Sequence, residues 1–165
     1  MRLYWLKVFR FALASLRDRD AAESLAQDCF FKAHRAKGSF RGDASLSTWL
    51  MQIAVNLVRD QARDRRFQFW RRARLTAVDL NTAGRWVADG GASPEVMAVA
   101  KEKVQAVWTA TESLSERQRT VFLLRFVEDM DLLEIAAVTG LKEGTVKVHL
   151  SRALQAVRER MKVSK

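Results

Sequence analysis

The chain has 165 residues, enough for one domain or two small ones, and its 29 basic residues exceed its 19 acidic ones to give a net charge of +10. This balance is expected for a protein whose partner has a phosphate backbone. The single cysteine, Cys29, excludes an internal disulfide framework and a cysteine-rich zinc site. No run of about 18 apolar residues is present, so no membrane span is expected.

The N-terminal segment predicts an amphipathic helix. It superficially resembles a signal peptide, but Lys7 and Arg10 interrupt its apolar run, and no small-residue cleavage site follows. The face expected to be buried carries four apolar residues at helical spacing: Leu6, Phe9, Leu13 and Leu16. Almost every later segment also has a period near 3.6, and none alternates as a strand would, so the sequence predicts an all-α fold.

Two further helices complete a predicted N-terminal domain of residues 1–65. Asp20 and Glu23 form a capping box that opens a helix to about Arg35. Its apolar stripe consists of Ala22, Leu25, Ala26, Cys29, Phe30 and Ala33. A polar loop with two glycines follows, and the next helix starts near Ser45. The stripe of that helix consists of Leu46, Trp49, Leu50, Ile53, Ala54 and Leu57, which assigns Trp49 to the core.

A linker is predicted over residues 66–93, where the pattern changes. Residues 59–74 contain seven arginines and two aspartates, and a mixed, glycine-containing stretch follows. The arginines are interpreted either as a helix end and linker near DNA or near a protein that acts on DNA, or as a solubilising tether. Ser93-Pro94-Glu95 then combines an N-cap, a first-turn proline and an acidic residue, which predicts the start of a C-terminal domain of residues 94–165.

The C-terminal domain contains a helix-turn-helix pattern. Ser115 and Gln118 form one capping box and Asp131 and Glu134 another, and Gly140 supplies a permissive turn. The helix after the turn has an apolar stripe of Val146, Leu150, Ala153, Leu154 and Val157. In this motif the second helix enters the DNA major groove. The predicted fold is therefore two small helical domains joined by a flexible linker, with a helix-turn-helix in the second.

The opposite face of this second helix predicts DNA contacts. It presents Thr145, Lys147, Val148, His149, Ser151 and Arg152. Lysine and arginine pair with phosphates or guanine edges, and hydroxyls donate to phosphates. An ordinary solvated face is disfavoured because the turn, the stripe and the basic face coincide. The histidines His34 and His149 are isolated, and no catalytic carboxylate cluster is apparent, so neither a metal, nor a cofactor, nor an enzymatic activity is expected.

Two regions of the chain resemble the extracytoplasmic-function (ECF) sigma factors of bacterial RNA polymerase. In the N-terminal region the similar segments are DAAESLAQDCF, GSFRGDASLSTWL and IAVNLVRD, within residues 20–60. In the C-terminal region the similarity runs from Leu114 to Ala153. Together the regions cover most of the chain in the expected order, and the sequence is identified as a member of this group.

The resemblance implies a division of labour between the domains. The N-terminal domain is expected to bind polymerase through Glu23, Gln27 and Asp28, which lie off the apolar stripe. It would capture a flipped base of the −10 element with a specificity loop and meet −10 DNA with the following helix, through Phe40, Arg41, Gly42, Asp43, Gln52, Asn56, Arg59 and Arg63. The C-terminal helix-turn-helix would bind the −35 element. Core RNA polymerase, promoter DNA and an anti-sigma factor are the implied partners, in the cytoplasm.

Two alternative functions differ in class. A LuxR-like or response-regulator transcription factor would also suit GTVKVHL, but it should carry a sensor or receiver domain upstream. A nucleic-acid-processing enzyme would need converging carboxylates or metal ligands, which the sequence does not suggest. A sigma factor is expected to direct core polymerase to promoters and to assist their opening, while the polymerase performs the catalysis.

Overall fold

A computed structural model of the chain describes residues 2–40, 42–72 and 107–163. Every regular element in these ranges is helical, which confirms the all-α prediction. The helices are α1 (Arg2–Leu16), α2 (Arg19–Arg35), a short 3₁₀ turn (Lys37–Ser39), α3 (Leu46–Arg72), α4 (described over residues 107–111), α5 (Glu116–Phe126), α6 (Leu132–Thr139) and α7 (Glu143–Val163). Within the described residues, no helix combines the length and the apolar character that a membrane span requires.

Helix α1 buries a different face from the predicted one. Val8, Phe11 and Ala12 are fully buried, whereas Leu6 is 50% exposed. The other predicted members of the stripe, Phe9, Leu13 and Leu16, are only partly buried. The prediction was wrong because α1 is apolar on almost every side, so its periodicity does not select a face. The i, i+3, i+4 set that packs against α2 and α3 decides the orientation.

Helix α2 has the predicted stripe but a different start. Asp18, and not Asp20, is the N-cap: its carboxylate accepts a hydrogen bond from the Ala21 amide at 3.0 Å. Five residues of the predicted stripe are buried: Ala22, Leu25, Ala26, Cys29 and Ala33. Phe30 is partly buried and lies against Trp5, with ring centroids 5.6 Å apart. The acidic and amide side chains of α2 therefore face outward.

Helix α3 is rotated and longer than predicted. Ser45 caps it by accepting a hydrogen bond from the Thr48 amide at 3.1 Å. Its buried apolar residues are Leu50, Met51, Ala54, Val55 and Val58, whereas Trp49, Ile53 and Leu57 are only partly buried and Leu46 is exposed. Helix α3 packs against α6 as well as against α1 and α2, which explains the broader buried face. The helix continues to Arg72, beyond residue 65 where the N-terminal domain was expected to end.

The C-terminal helices start where the capping boxes predicted. The side chains and backbones of Ser115 and Gln118 are reciprocally hydrogen-bonded, and so are those of Asp131 and Glu134. Gly140 ends α6 with φ +70°, the left-handed conformation that favours glycine. The expected helix start at Pro94 lies outside the described residues. Of the predicted α7 stripe, Val146, Ala153 and Val157 are buried, and Leu150 and Leu154 are partly buried.

The two halves of the chain are in contact. Helix α1 packs against α5, and α3 packs against α6, the first helix of the helix-turn-helix motif. The Arg10 guanidinium of α1 reaches Glu128, which follows α5. The sequence gives no sign of this contact, because it joins residues more than a hundred positions apart.

The Gly140 turn generates a stability prediction. Gly140→Ala should lower the free energy of unfolding by about 1 kcal/mol, because an alanine in the left-handed region is strained. No heavy atom lies within 4 Å of a Cβ at either Gly140 or Gly144, so crowding does not contribute. Gly144→Ala is the matched control, since helical alanine should stabilise by about 0.5 kcal/mol. Urea denaturation followed by circular dichroism measures both, and a shift of both variants in the same direction would contradict the assignment.

Candidate nucleic-acid interface

The turn at Gly140 fixes how α7 leaves the C-terminal domain. The Gly140 amide donates to the Ala136 carbonyl at 2.9 Å and closes α6. Two residues later the Lys142 carbonyl accepts hydrogen bonds from the amides of Thr145 and Val146, at 2.9 and 3.0 Å. With Val146 anchored in the core, the opposite face of α7 projects from the domain surface. This is the geometry that a recognition helix needs to enter a major groove.

The predicted DNA-contacting side chains of α7 differ in how available they are. Thr145, Lys147, Val148, Ser151 and Arg152 are exposed. His149 is only partly buried as a residue, but its Nδ1 is buried and has no hydrogen-bond partner within the described residues. The ring of His149 therefore lies partly under the helix surface, and it presents less of itself to a groove than its neighbours do.

The two cations of this face, Lys147 and Arg152, differ in whether an internal carboxylate pairs with them. Lys147 Nζ lies 2.6 Å from the carboxylate of Glu143, one turn earlier on α7. Arg152 is exposed and makes no hydrogen bond or ion pair within the described part of the chain. Arg152 can thus bind a phosphate or a base edge without losing an internal partner, whereas Lys147 must first give up Glu143.

The loop before α3 is held by an aromatic contact. The ring of Phe40 lies 5.1 Å from the ring of Trp49, at an interplanar angle of 45°. Trp49 was assigned to the core, but it is only partly buried because one side of its indole supports the loop. Gly42 has φ +78°, a conformation that requires glycine, and Asp43 is exposed. Arg41 lies outside the described residues.

The predicted DNA contacts of α3 lie on one exposed stripe but face two environments. Gln52, Asn56, Arg59 and Arg63 are all exposed. Asn56 lines an open pocket of about 400 Å³ with Ile53 and the C-terminal turn of α2, where Lys32 and Arg35 add two cations. Arg59 and Arg63 instead line a cleft between the two domains. The structure therefore does not gather the four residues on a single open surface.

The interdomain cleft has a volume of about 590 Å³. Its N-terminal wall carries Arg59 and Arg63, and its C-terminal wall carries Glu116, Arg117 and the turn at Gly140. Arg63 is also paired with Asp60 at 3.2 Å. Sequence reasoning missed this cleft because it depends on how two separate domains pack, and no local pattern encodes that packing.

The outer face of α2 carries the three predicted polymerase contacts. Glu23, Gln27 and Asp28 are exposed and have no hydrogen-bond partner within the described residues. One turn beyond Gln27, Phe31 is 63% exposed, and the Arg35 guanidinium lies 5.8 Å from its ring centroid. The adjacent pair Phe30-Phe31 could have indicated that one aromatic side chain of α2 is exposed, since two adjacent residues of a helix cannot both lie on one narrow stripe.

The described residues contain no group of three or more histidine, cysteine, aspartate or glutamate side chains placed to hold a metal ion. Cys29 is fully buried, and its Sγ lies 3.5 Å from the Leu50 carbonyl. Burial raises the pKa of the Cys29 thiol to about 12, and nearby Lys32 offsets this only in part. A thiol in this state is a packing group and not a nucleophile.

Comparison with known families matches both halves of the chain. Residues 104–157 match Sigma-70, region 4, and residues 2–68 match Sigma-70 region 2. The chain is 34% identical to the ECF RNA polymerase sigma-E factor of Escherichia coli (strain K12) over 137 residues, covering 81% of this chain and 70% of the relative. It is 27% identical to the ECF RNA polymerase sigma factor SigW of Bacillus subtilis (strain 168) over 160 residues, covering 97% of this chain and 86% of the relative.

A solved structure matches nearly the whole chain. It is the sigma factor RpoE in complex with the anti-sigma factor NepR from Bartonella quintana. The TM-score is 0.77 at 26% identity, and the match covers 99% of this chain and 95% of the other. The similarity therefore extends over both domains.

The burial of Cys29 predicts an inert thiol. At pH 8 the folded chain should react with a maleimide far more slowly than a small-molecule thiol does, because both access and the thiolate fraction are low. Unfolding in urea should restore ordinary reactivity and is the internal control. Mass spectrometry of timed samples measures the labelled fraction, and rapid labelling of the folded chain would show that Cys29 is not where the packing places it.

Proposed function

The chain belongs to the ECF group of bacterial RNA polymerase sigma factors, and from this membership we propose which of its surfaces bind polymerase and promoter DNA. As a sigma factor it directs core RNA polymerase to specific promoters and assists their opening at transcription initiation. The match to Sigma-70 region 2 over residues 2–68 sets aside the LuxR-like alternative, which would place a different kind of domain there. The single observation that carries this function is the presence of both sigma regions, in order, in one chain.

Helix α7 is proposed to read the −35 element in the major groove. Arg152 is the leading candidate for a base or phosphate contact because it is exposed and has no internal partner among the described residues. Thr145 and Ser151 can donate hydrogen bonds to phosphates, and exposed Val148 can contact a thymine methyl group. Lys147 joins them once Glu143 releases it, and His149 plays the smaller part that its partial burial allows.

The loop at Phe40 and the N-terminal half of α3 are proposed to hold the −10 element. An unstacked base needs an aromatic surface and groups that hydrogen-bond its edge. The ring of Phe40, supported by Trp49, offers the aromatic surface, and the Asn56 amide offers groups that can hydrogen-bond the edge of the base. Arg41, Gly42, Asp43 and Gln52 complete the proposed loop and helix contacts. The cations of Lys32 and Arg35 border the pocket beside Asn56 and suit the accompanying phosphates.

The outer face of α2 is proposed to dock on core polymerase through Glu23, Gln27 and Asp28. These side chains are exposed, and bonds within the described chain do not occupy them. Two carboxylates and an amide can form charge-assisted hydrogen bonds with basic residues of a partner. Rim charges of this kind set orientation and association rate more than total affinity.

Function in this proposal comes from differential binding. The chain carries out no chemistry of its own: it holds the separated −10 strand more tightly than the duplex, and the polymerase performs the catalysis. We propose that it acts in the cytoplasm, where polymerase and promoters are. We also propose that an anti-sigma factor controls it, since the similar RpoE structure contains the anti-sigma factor NepR.

Substitutions in α7 test the −35 assignment. Arg152→Ala and Lys147→Ala should each reduce −35-dependent run-off transcription by about tenfold, because each removes a base or phosphate contact. Glu143→Gln should raise promoter affinity, since it frees Lys147 from its internal ion pair. Lys162→Ala removes an exposed lysine near the end of the same helix and is the control. The assignment fails if Arg152→Ala and Lys147→Ala both initiate as well as the unaltered chain.

Truncation of Phe40 tests the −10 assignment. Phe40→Ala should slow open-complex formation on a duplex promoter by about fivefold to a hundredfold, the range expected for loss of one aromatic–base stack. Leu46→Ala, which truncates an exposed apolar residue at the start of α3, is the control. Binding of holoenzyme to a duplex carrying only the −35 element should be unchanged in both variants. Normal opening kinetics in Phe40→Ala would refute base capture by this side chain.

A further inference from the structure

The interdomain cleft is lined by arginines from two helices. Arg59 and Arg63 lie one turn apart on α3, and Arg117 lies on the other wall, in the first turn of α5. Among the described lining residues, only Glu116 carries a negative charge. A cavity whose walls carry mostly one sign of charge focuses its field and attracts ions of the opposite sign. The cleft therefore favours an anionic ligand.

The fold leaves these arginines available. Arg59 and Arg117 are exposed, and neither makes a hydrogen bond or an ion pair within the described residues. Arg63 is paired with Asp60 at 3.2 Å, but both side chains are exposed, so solvent screens this pair and it contributes little to stability. All three guanidinium groups can therefore turn to a ligand at small cost.

A neighbouring arginine of α5 shows the contrast with a structural role. Arg119, two positions after Arg117, donates to three backbone carbonyls at 3.1, 2.9 and 3.4 Å. The acceptors are those of Thr111, Glu112 and Leu114, so Arg119 holds the C-terminal end of α4 against α5. Arg117 has no such acceptors within the described chain, and packing does not account for its position beside the cleft.

The rest of the lining combines apolar surface with hydroxyl groups. Val121 is buried and Leu141 is partly buried, and both contribute apolar surface. The hydroxyls of Thr120 and Thr139 each donate to a carbonyl of their own helix, at 2.9 and 2.6 Å. Each hydroxyl oxygen still has a lone pair for a donor on a ligand. Apolar surface beside cations suits a ligand that joins a flat ring to a charged group.

The size of the cleft restricts the ligand further. Its volume of about 590 Å³ falls within the range of roughly 300–1,000 Å³ that holds small molecules and cofactors. A cavity of this volume can enclose a nucleotide but not a DNA duplex, whose major groove alone is about 12 Å wide. The occupant that satisfies size, charge and apolar surface together is a phosphorylated small molecule with a ring system.

We propose that the interdomain cleft is a binding site for a nucleoside polyphosphate. The phosphates lie between Arg63 and Arg117, so each wall contributes a guanidinium that can bind phosphate oxygens in bidentate fashion. The base packs on the apolar surface at Leu141. Glu116 accepts a hydrogen bond from a sugar hydroxyl, a role that acidic residues have in dinucleotide-binding folds.

Occupation of the cleft affects the proposed DNA contacts. The ligand occupies Arg59 and Arg63, which are also proposed to meet −10 DNA. Because one guanidinium cannot serve both partners at once, the ligand is expected to weaken the binding of DNA to these arginines. This consequence rests on the proposed function, whereas the site itself does not.

Equilibrium binding to the full chain tests the site, with ATP, adenosine and inorganic triphosphate as probes at one salt concentration. ATP should bind about tenfold more tightly than inorganic triphosphate, because only ATP uses the apolar surface, and adenosine alone should show no detectable binding. Arg63→Ala and Arg117→Ala should each weaken ATP binding by about tenfold, since each removes hydrogen bonds to a charged group. Arg158→Ala removes an exposed arginine of α7 that does not line the cleft, and this matched control should leave ATP affinity unchanged.

Substitution of Glu116 tests the orientation of the ligand. Glu116→Ala should strengthen the binding of inorganic triphosphate by about twofold to fivefold, because a repelling carboxylate is lost. The same variant should reduce the preference for ATP over triphosphate, because the sugar hydroxyl loses its acceptor. Circular dichroism of each variant confirms that the fold is intact.

The outcomes separate the site from the promoter assignments. Equal losses of ATP affinity in Arg117→Ala and Arg158→Ala would show non-specific attraction to a basic chain and overturn the site. Preference for a single-stranded DNA ten-mer over ATP, dependent on Arg63 and Arg117, would also overturn it, since the cleft would then be a nucleic-acid contact. ATP binding that depends on both arginines but does not compete with a −10 single strand would support the site and contradict the assignment of Arg59 and Arg63 to DNA.

Discussion

The spacing of promoter elements is the physical constraint on which the proposed function depends. The two halves of the chain are proposed to read promoter elements whose centres are about 25 base pairs, or about 85 Å, apart along the duplex. In the free chain the domains instead contact each other, α1 against α5 and α3 against α6. Arg59 and Arg63 line the cleft between the two halves and are also proposed to meet −10 DNA.

The basic residues of the chain differ in whether an internal carboxylate pairs with them. A net charge of +10 draws the chain toward nucleic acid, but the positive groups are not equally free. Lys147 is engaged by Glu143 and Arg10 by Glu128, whereas Arg152 has no internal partner among the described residues. Internal ion pairs moderate non-specific attraction to DNA, so affinity can rise when the correct partner displaces them.

Local signals made much of the fold predictable. The capping boxes at Ser115 and Asp131 and the glycine turn at Gly140 act over a few residues, so the sequence located the C-terminal helices well. The apolar residues of α2 recur at clear helical spacing, and the buried face of this helix was predicted correctly. Helix α1 is apolar on nearly all sides, and α3 packs against three helices, α1, α2 and α6, so periodicity alone could not orient them. The support of Phe40 by Trp49 and the Arg10–Glu128 pair required three-dimensional packing, which no local pattern records.

Promoter recognition in the proposed function requires the chain and polymerase together. The most direct measurement compares the affinity of the free chain and of its complex with core polymerase for one duplex that carries both promoter elements, at a single salt concentration. We expect weak, largely non-specific binding by the free chain and tight, sequence-dependent binding by the complex. Equally tight and specific binding by the free chain would contradict it.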